Sequence, residues 1–204
     1  MNLLRMIGFF FLAVVSAGAA QFTAPELQLQ ATVNAALDAF YSESSALLSA
    51  DQKQAKVLQV IESNYDMTIL IRRAIGRNWG QMSPLEQGRT VDLIKQLVMK
   101  TYVDGFNGAN RPEVRFAKTV QLSDKRIEVA SVVHLEGQTL HVVYRLGRTR
   151  SGWQMYDIVA EGISIVANYR QQFDDHFRRG TAAELIQKLE ELLKEGTLHE
   201  TITI

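Results

Sequence analysis

The feature that most constrains this chain is a change of period. Up to about residue 106, apolar residues recur three and four positions apart; from Glu113 to Ala160 they alternate with polar ones; after about residue 163 the helical spacing returns. Side chains on a helix share a face every 3.6 residues and on a strand every 2. The order is therefore helices, antiparallel meander, helices. That is an α+β pattern, not the strand–helix alternation of a doubly wound sheet. A length of 204 residues, with no internal repeat and no linker, points to one domain.

Local signals set the expected elements. Pro25-Glu26 opens a first helix with Leu29, Val33, Ala36, Leu37 and Phe40 on one side. Asp51 is the expected N-cap of a second, bearing Val57, Leu58 and Ile61, and a short helix runs from Tyr65 to Ile75, ended by Gly76. Ser83-Pro84-Leu85-Glu86 combines an N-cap, a first-turn proline and a capping-box glutamate. It starts a helix with Val91, Ile94, Val98, Tyr102 and Phe106 in one stripe, ended by Gly105 and Gly108.

Strands are expected over Glu113–Val120, Arg126–Leu135, Thr139–Leu146 and Trp153–Ala160. A two-residue turn at Gly137-Gln138 sets Val133 against Val142, Leu135 against Leu140 and His134 against His141. One face then carries Ile127, Val129, Val133, Leu135, Leu140, Val142, Tyr144 and Leu146. The other carries Glu128, His134, Glu136, His141 and Arg145. Beyond the strands, Val166, Tyr169 or Arg170, Phe173 and Phe177 form a helical stripe. A capping box at Thr181 to Glu184 then precedes Leu185, Leu189 and Leu192, with Gly196 as the stop.

The first twenty residues differ from the rest. Arg5 is their only charge; an apolar run from Met6 to Val15 follows, then small residues from Ser16 to Ala20. This is the order of a secretory signal peptide, with cleavage after Ala19 or Ala20, leaving residues 21–204 as an exported, soluble domain; a retained anchor is the rival reading. The absence of cysteine excludes disulfides, thiolate metal sites and a lipid-modified N-terminus. Equal numbers of basic and acidic residues, 22 of each, provide no global field for a polyanion.

Catalytic constellations are thin. There is no phosphate loop, no His-Glu-x-x-His and no Gly-x-Ser-x-Gly. His134 and His141, even with Glu136, make a poor metal site, so no metal is expected; the plainer reading is a polar pair facing solvent. Asp157 and Glu161 flank the last strand as a conceivable acid–base pair, but a carboxylate at a strand end more often caps the next helix or forms an ion pair. Arginines cluster at Arg72, Arg73 and Arg77 and at Arg170, Arg178 and Arg179, suited either to an anionic partner or to a solvated face. Trp79, Tyr102, Tyr144, Trp153, Tyr156 and Tyr169 suit either a core or a ligand cavity. A curved antiparallel sheet of four to five strands under several helices encloses one or the other.

A family resemblance bears on that choice. Gly152-Trp153-Gln154-Met155-Tyr156-Asp157 to Glu161-Gly162-Ile163-Ser164-Ile165-Val166, followed by Asn168-Tyr169-Arg170-Gln171-Gln172-Phe173, closely resembles the signature of the MlaC family, also labelled toluene-tolerance or ABC-transporter auxiliary proteins. Tyr65-Asp66-Met67, Ile75-Gly76-Arg77-Asn78-Trp79, Ser83-Pro84 to Gln87 and Lys100-Thr101-Tyr102 fit in order and spacing, so the resemblance runs from about Pro25 to Leu193. It implies a monomeric periplasmic carrier, not an enzyme, with a phospholipid as cargo and no cofactor. The acyl chains would lie in a hydrophobic cavity between sheet and helices. The implied partners are an outer-membrane lipoprotein–porin complex and the lipid-binding ring protein of an inner-membrane ABC transporter, in maintenance of outer-membrane lipid asymmetry. An HpnM-like branch of the family is associated with hopanoids, which makes an apolar lipid the alternative cargo; a small-molecule enzyme using Asp157 is the alternative of another class.

On the carrier reading, Tyr102, Phe106, Val142, Tyr144, Tyr156, Ile158, Ile163 and Val166 are expected to converge on the acyl chains. Arg72, Arg73, Arg77, Arg178 and Arg179 are the expected docking surface.

Overall fold

The computed structural model describes residues 24–106 and 108–195. The expected signal peptide, its expected cleavage site and the expected stop at Gly196 lie outside them. Helix α1 (Pro25–Tyr41), the short α2 (Glu43–Ala46), α3 (Ala50–Glu62), α4 (Met67–Ile75), a 3-10 turn (Gly76–Gln81) and α5 (Pro84–Phe106) precede the strands. These are β1 (Glu113–Phe116), β2 (Val120–Ser123), β3 (Arg126–Leu135), β4 (Gln138–Thr149), β5 (Gly152–Ala160) and β6 (Ile163–Ser164), and α6 (Ile165–Phe177) and α7 (Ala182–Glu195) close the described chain.

The helix ends follow capping chemistry. Ser83 N donates to Glu86 Oε2 at 2.8 Å and Glu86 N to Ser83 Oγ at 3.4 Å, so two orphan donors satisfy each other's side chains. Thr181 and Glu184 repeat the device at α7. Both glutamates are held below the usual carboxylate range, Glu86 by the Ser83 hydroxyl and amide and Glu184 by the Thr181 amide and hydroxyl. Two boundaries depart from the sequence expectation. Helix α3 is capped by Ser49, whose Oγ accepts from Gln52 N, rather than by Asp51, because the serine completes a reciprocal box with Gln52. Helix α4 starts at Met67, since Asp66 Oδ1 accepts from Thr68 N and keeps Asp66 in extended backbone.

The sheet is antiparallel and six-stranded, in the order β1-β3-β4-β5-β6, with β2 also paired to β3. It is larger than the four to five strands expected because Glu113–Ser123 is two short strands and Ile163–Ser164 adds a sixth at the other edge. β1 lies along Ser131–His134 and β2 along Arg126–Glu128, both on one edge of β3. The β3–β4 turn is Glu136-Gly137, not Gly137-Gln138. Both residues take positive φ, 48° and 77°, which a tight primed turn requires, and Leu135 pairs with Gln138. The register is therefore shifted by two: Val133 faces Leu140 and His134 faces Thr139, not His141. An even shift keeps every side chain on its expected face.

The core falls into three clusters. One joins α4, α5, α6 and α7 around Ile75, Leu97, Phe173, Leu185 and Leu189. A second joins α1, α3 and α5 around Phe40, Val57, Met99 and Val103. The third sets α1 and Tyr65 against Ile127, Val129, Leu146 and Met155 of the sheet. Helices α4 and α6 pack directly on β5, whereas α5 packs on α3, α4 and α7.

Candidate functional site

The apolar face of the sheet is closed at one end and open at the other. Val129 and Leu146 are 0% exposed, but along the same face toward the β3–β4 turn Val133, Leu135, Val142 and Tyr144 are only half-buried, and Leu140 is 39% exposed. Beneath the helical layer lies a cavity of about 160 Å³. It is lined by Met67, Leu70, Ile71 and Ala74 from α4, Ile94, Leu97 and Val98 from α5, Ile158 from β5, Ile165, Val166, Tyr169 and Phe173 from α6, and Leu189 from α7. None of these is charged. Apolar cavities of about 150 Å³ stay dry and take up apolar molecules.

Two neighbour relations join the cavity to the open face. Ile158, in its wall, is the cross-strand partner of Tyr144, and Val98, also in its wall and partly exposed, lies one helical turn before Tyr102. Tyr102 and Phe106 pack with Phe40 and Tyr41. The Tyr102–Phe106 ring centroids are 4.6 Å apart and Phe40–Tyr41 4.7 Å. On the sheet side Tyr144 lies 6.3 Å from Phe116. Burial pushes the Tyr102 phenol up to about 12, with smaller contributions from the Tyr41 and Tyr144 phenols and an opposing one from Arg111. Desolvation also raises Tyr144 and Tyr41.

Of the eight residues the sequence assigned to a pocket wall, Ile158 and Val166 line the cavity. Tyr144 and Val142 stand on the open sheet face, and Tyr102 and Phe106 belong to the aromatic cluster at the end of α5. Ile163 is 59% exposed on the two-residue strand β6. Tyr156 points elsewhere. A register shift opposite Arg145/Leu146 makes it the extra residue of a bulge, so strict alternation fails at that point. Its ring lies against Gly147, where a Cβ would come within 3.2 Å, between the guanidinium groups of Arg73 and Arg126 at 5.0 and 5.9 Å. The wall residues that the sequence did not single out carried a signal all the same. Ile94 and Val98 continue the Tyr102–Phe106 stripe, and Tyr169 and Phe173 continue that of Val166. The α4 residues carried none beyond ordinary apolar spacing.

Asp157 serves the frame. It accepts from Arg145 Nη1 at 3.0 Å, Ser164 Oγ at 2.8 Å and Val166 N at 3.2 Å, which fixes the N-terminus of α6 to β5. Its lone pairs are engaged by three donors, an arrangement unsuited to proton abstraction. Among the described residues no group of three metal-ligating side chains converges.

The arginines are surface groups. Arg72 stacks on Trp79 at 6.0 Å, Arg73 on Tyr156, and Arg77 and Arg178 pair with Asp174 and Asp175 at 3.5 and 2.8 Å. Arg179 lies in a shallow polar groove with Asp175, His176, Glu184 and Lys188. Arg170 donates its guanidinium to the Arg73 carbonyl, joining α6 to the end of α4.

The sequence matches the family model described as MlaC protein over residues 30–191. The chain belongs to the MlaC family. Among curated proteins none matches it. Among solved structures its fold is similar to that of the phospholipid-binding protein from Ralstonia solanacearum, determined in complex with a phospholipid. The TM-score is 0.72 at 23% identity, over 85% of this chain and 99% of that one. At that identity the likeness is one of fold. The MlaC match and the α+β architecture thus agree with the resemblance carried by the Trp153 to Val166 run.

Proposed function

We propose that this protein is a carrier of phospholipid, holding the acyl chains between the open sheet face and the helical layer. The observation that carries the reading is the uncharged cavity at the base of a half-buried apolar sheet face, in a chain of the MlaC family. The similar fold holding a phospholipid in the Ralstonia protein supports it.

The physics of the cargo fits such a site. Each CH₂ withdrawn from water contributes roughly 0.8 kcal/mol, so a free diacyl lipid is strongly disfavoured in an aqueous compartment. Moving a chain from bilayer to apolar protein interior exchanges like for like, so transfer is nearly balanced and no catalytic group is needed. An exported carrier working in the periplasm, between an outer-membrane complex and an inner-membrane ABC transporter, accounts for the signal-peptide pattern of residues 1–20. The exposed arginines of α4 then offer charged surface for reversible docking.

Purification after export, organic extraction and lipid mass spectrometry test the reading. Phospholipid is expected in stoichiometric amount, and a native mass equal to the bare mature chain refutes it.

A further inference from the structure

The carrier reading leaves a set of tyrosine hydroxyls unexplained. Tyr41, Tyr102 and Tyr144 bring three phenols to the edge of the apolar surface, where Glu136 and Arg111 also approach Tyr41. Tyr41 and Tyr102 flank the same Phe106 ring, at 6.2 and 4.6 Å. Tyr144 stands on β4, paired with the cavity residue Ile158, and its phenol lies within reach of the Ser131 hydroxyl. The buried hydroxyls of Tyr41, Tyr65, Thr90, Thr119 and Ser131 make no hydrogen bond among the described residues, and that of Tyr41 belongs to the aromatic cluster with Tyr102 and Phe106. A buried hydroxyl without a partner costs about 1–3 kcal/mol, and native structures retain such a group only where something compensates. A phenol can give one proton and can also accept, and an acceptor is the partner that satisfies its proton. The surface that runs from Tyr102 past Val98, and from Tyr144 past Ile158, into the uncharged cavity suits an acceptor attached to hydrocarbon.

We propose that Tyr41, Tyr102 and Tyr144 form a site for the ester carbonyl oxygens of a glycerolipid whose acyl chains continue toward the cavity. The proposal rests on the carrier reading and narrows its cargo. Ester-linked lipids supply carbonyl acceptors at the junction of chain and head group, where the phenols stand. A polycyclic hydrocarbon lipid, or one linked through ethers, has no carbonyl to offer and leaves the Tyr41 hydroxyl unsatisfied.

The test compares a diester phosphatidylglycerol with its diether analogue of the same chain length, so that head group, phosphate and hydrocarbon are constant. The delipidated wild-type protein is expected to bind the diester about fivefold more tightly, the effect of one neutral hydrogen bond. The triple variant Tyr41→Phe, Tyr102→Phe and Tyr144→Phe is expected to bring the diester down to the level of the diether. Equal binding of both lipids by the wild type, or a preference that survives in the triple variant, overturns the assignment. Binding of neither lipid by the wild type overturns the carrier reading and the assignment with it. The lipid-free Tyr41→Phe protein is expected to melt at or above the wild-type temperature, since no protein hydrogen bond is lost. A lower melting temperature shows that the hydroxyl serves the fold, and the assignment then fails.

Discussion

The two ends of the β3–β4 face carry the same alternation and have opposite fates. At the Ile127–Leu146 end the inward residues are sealed under α1 and Tyr65; at the turn end Val133, Leu135, Val142 and Tyr144 are half-buried and Leu140 is exposed. Residues sealed in a core hold the fold together. Residues on the open end hold the fold less and leave space for something else. Equivalent substitutions at the two ends should therefore separate stability from binding.

The sharpest separation comes from a buried charge. Leu146→Asp places an unpaired carboxylate in the closed end and is expected to cost at least about 3 kcal/mol, enough to unfold a marginal domain. Val142→Asp, on the open end, is expected to keep its circular dichroism spectrum and a cooperative melt while losing bound lipid. Unfolding of both variants would make the open end part of the core and break the comparison.

Alkaline pH provides a second contrast. Tyr102 ionises near 12 in the folded chain against 10 in the unfolded one, and Tyr144 is raised in the same direction. A raised folded value contributes stability that is complete below pH 10 and lost as pH rises toward 12. The slope is at most about 1.4 kcal/mol per pH unit for each group. Denaturant midpoints measured from pH 9 to 12 should fall, and the fall should be shallower in Tyr102→Phe. An unchanged slope in that variant removes Tyr102 from the desolvated site.

A smaller effect is expected inside the cavity. Ala74→Leu adds hydrocarbon to its α4 wall, and cavity filling of this kind commonly adds about 0.5–2 kcal/mol of stability. The lipid-free variant should melt at the wild-type temperature or higher and retain less lipid after purification. Lower stability with unchanged lipid content would mark the cavity as a packing gap that the cargo does not enter.

The contrast between the ends also shows what the residues alone disclose. Capping boxes at Ser83 and Thr181 and the two faces of the β3–β4 hairpin are legible because they rest on local chemistry and parity. A two-residue slip in the turn changes partners but not faces. Tyr156 was misplaced by the same parity rule, since a bulge turns the alternation over and only Gly147, a place for its ring, hints at it. Cavity and core were indistinguishable because both require apolar residues at the same spacing. What separates them is how closely α5 approaches the sheet, a tertiary distance with no local signal. The α4 wall escapes the sequence for that reason, whereas Ile158 and Val166, expected from the apolar faces of the meander and of the helix after it, line the cavity.

The smallest structural effect is expected on the outer surface, where the arginines test docking without touching either end of the sheet. Arg72 and Arg73 are exposed and, among the described residues, engage aromatic faces with their guanidinium groups, while the Arg73 carbonyl that holds Arg170 belongs to the backbone and survives substitution. Reversing both to glutamate should change stability by less than about 0.5 kcal/mol, the usual range for surface positions. Bound lipid should stay at the wild-type level, because neither side chain lines the cavity. If these charges steer the carrier onto an acidic face of the inner-membrane ring protein, the double variant delivers lipid more slowly. The deficit should shrink as salt rises, since the Debye length falls to about 8 Å at physiological ionic strength and rim charges act mainly on association rate. Equal delivery rates at low salt would remove this patch of α4 from the docking surface and leave the cavity and its cargo as they are.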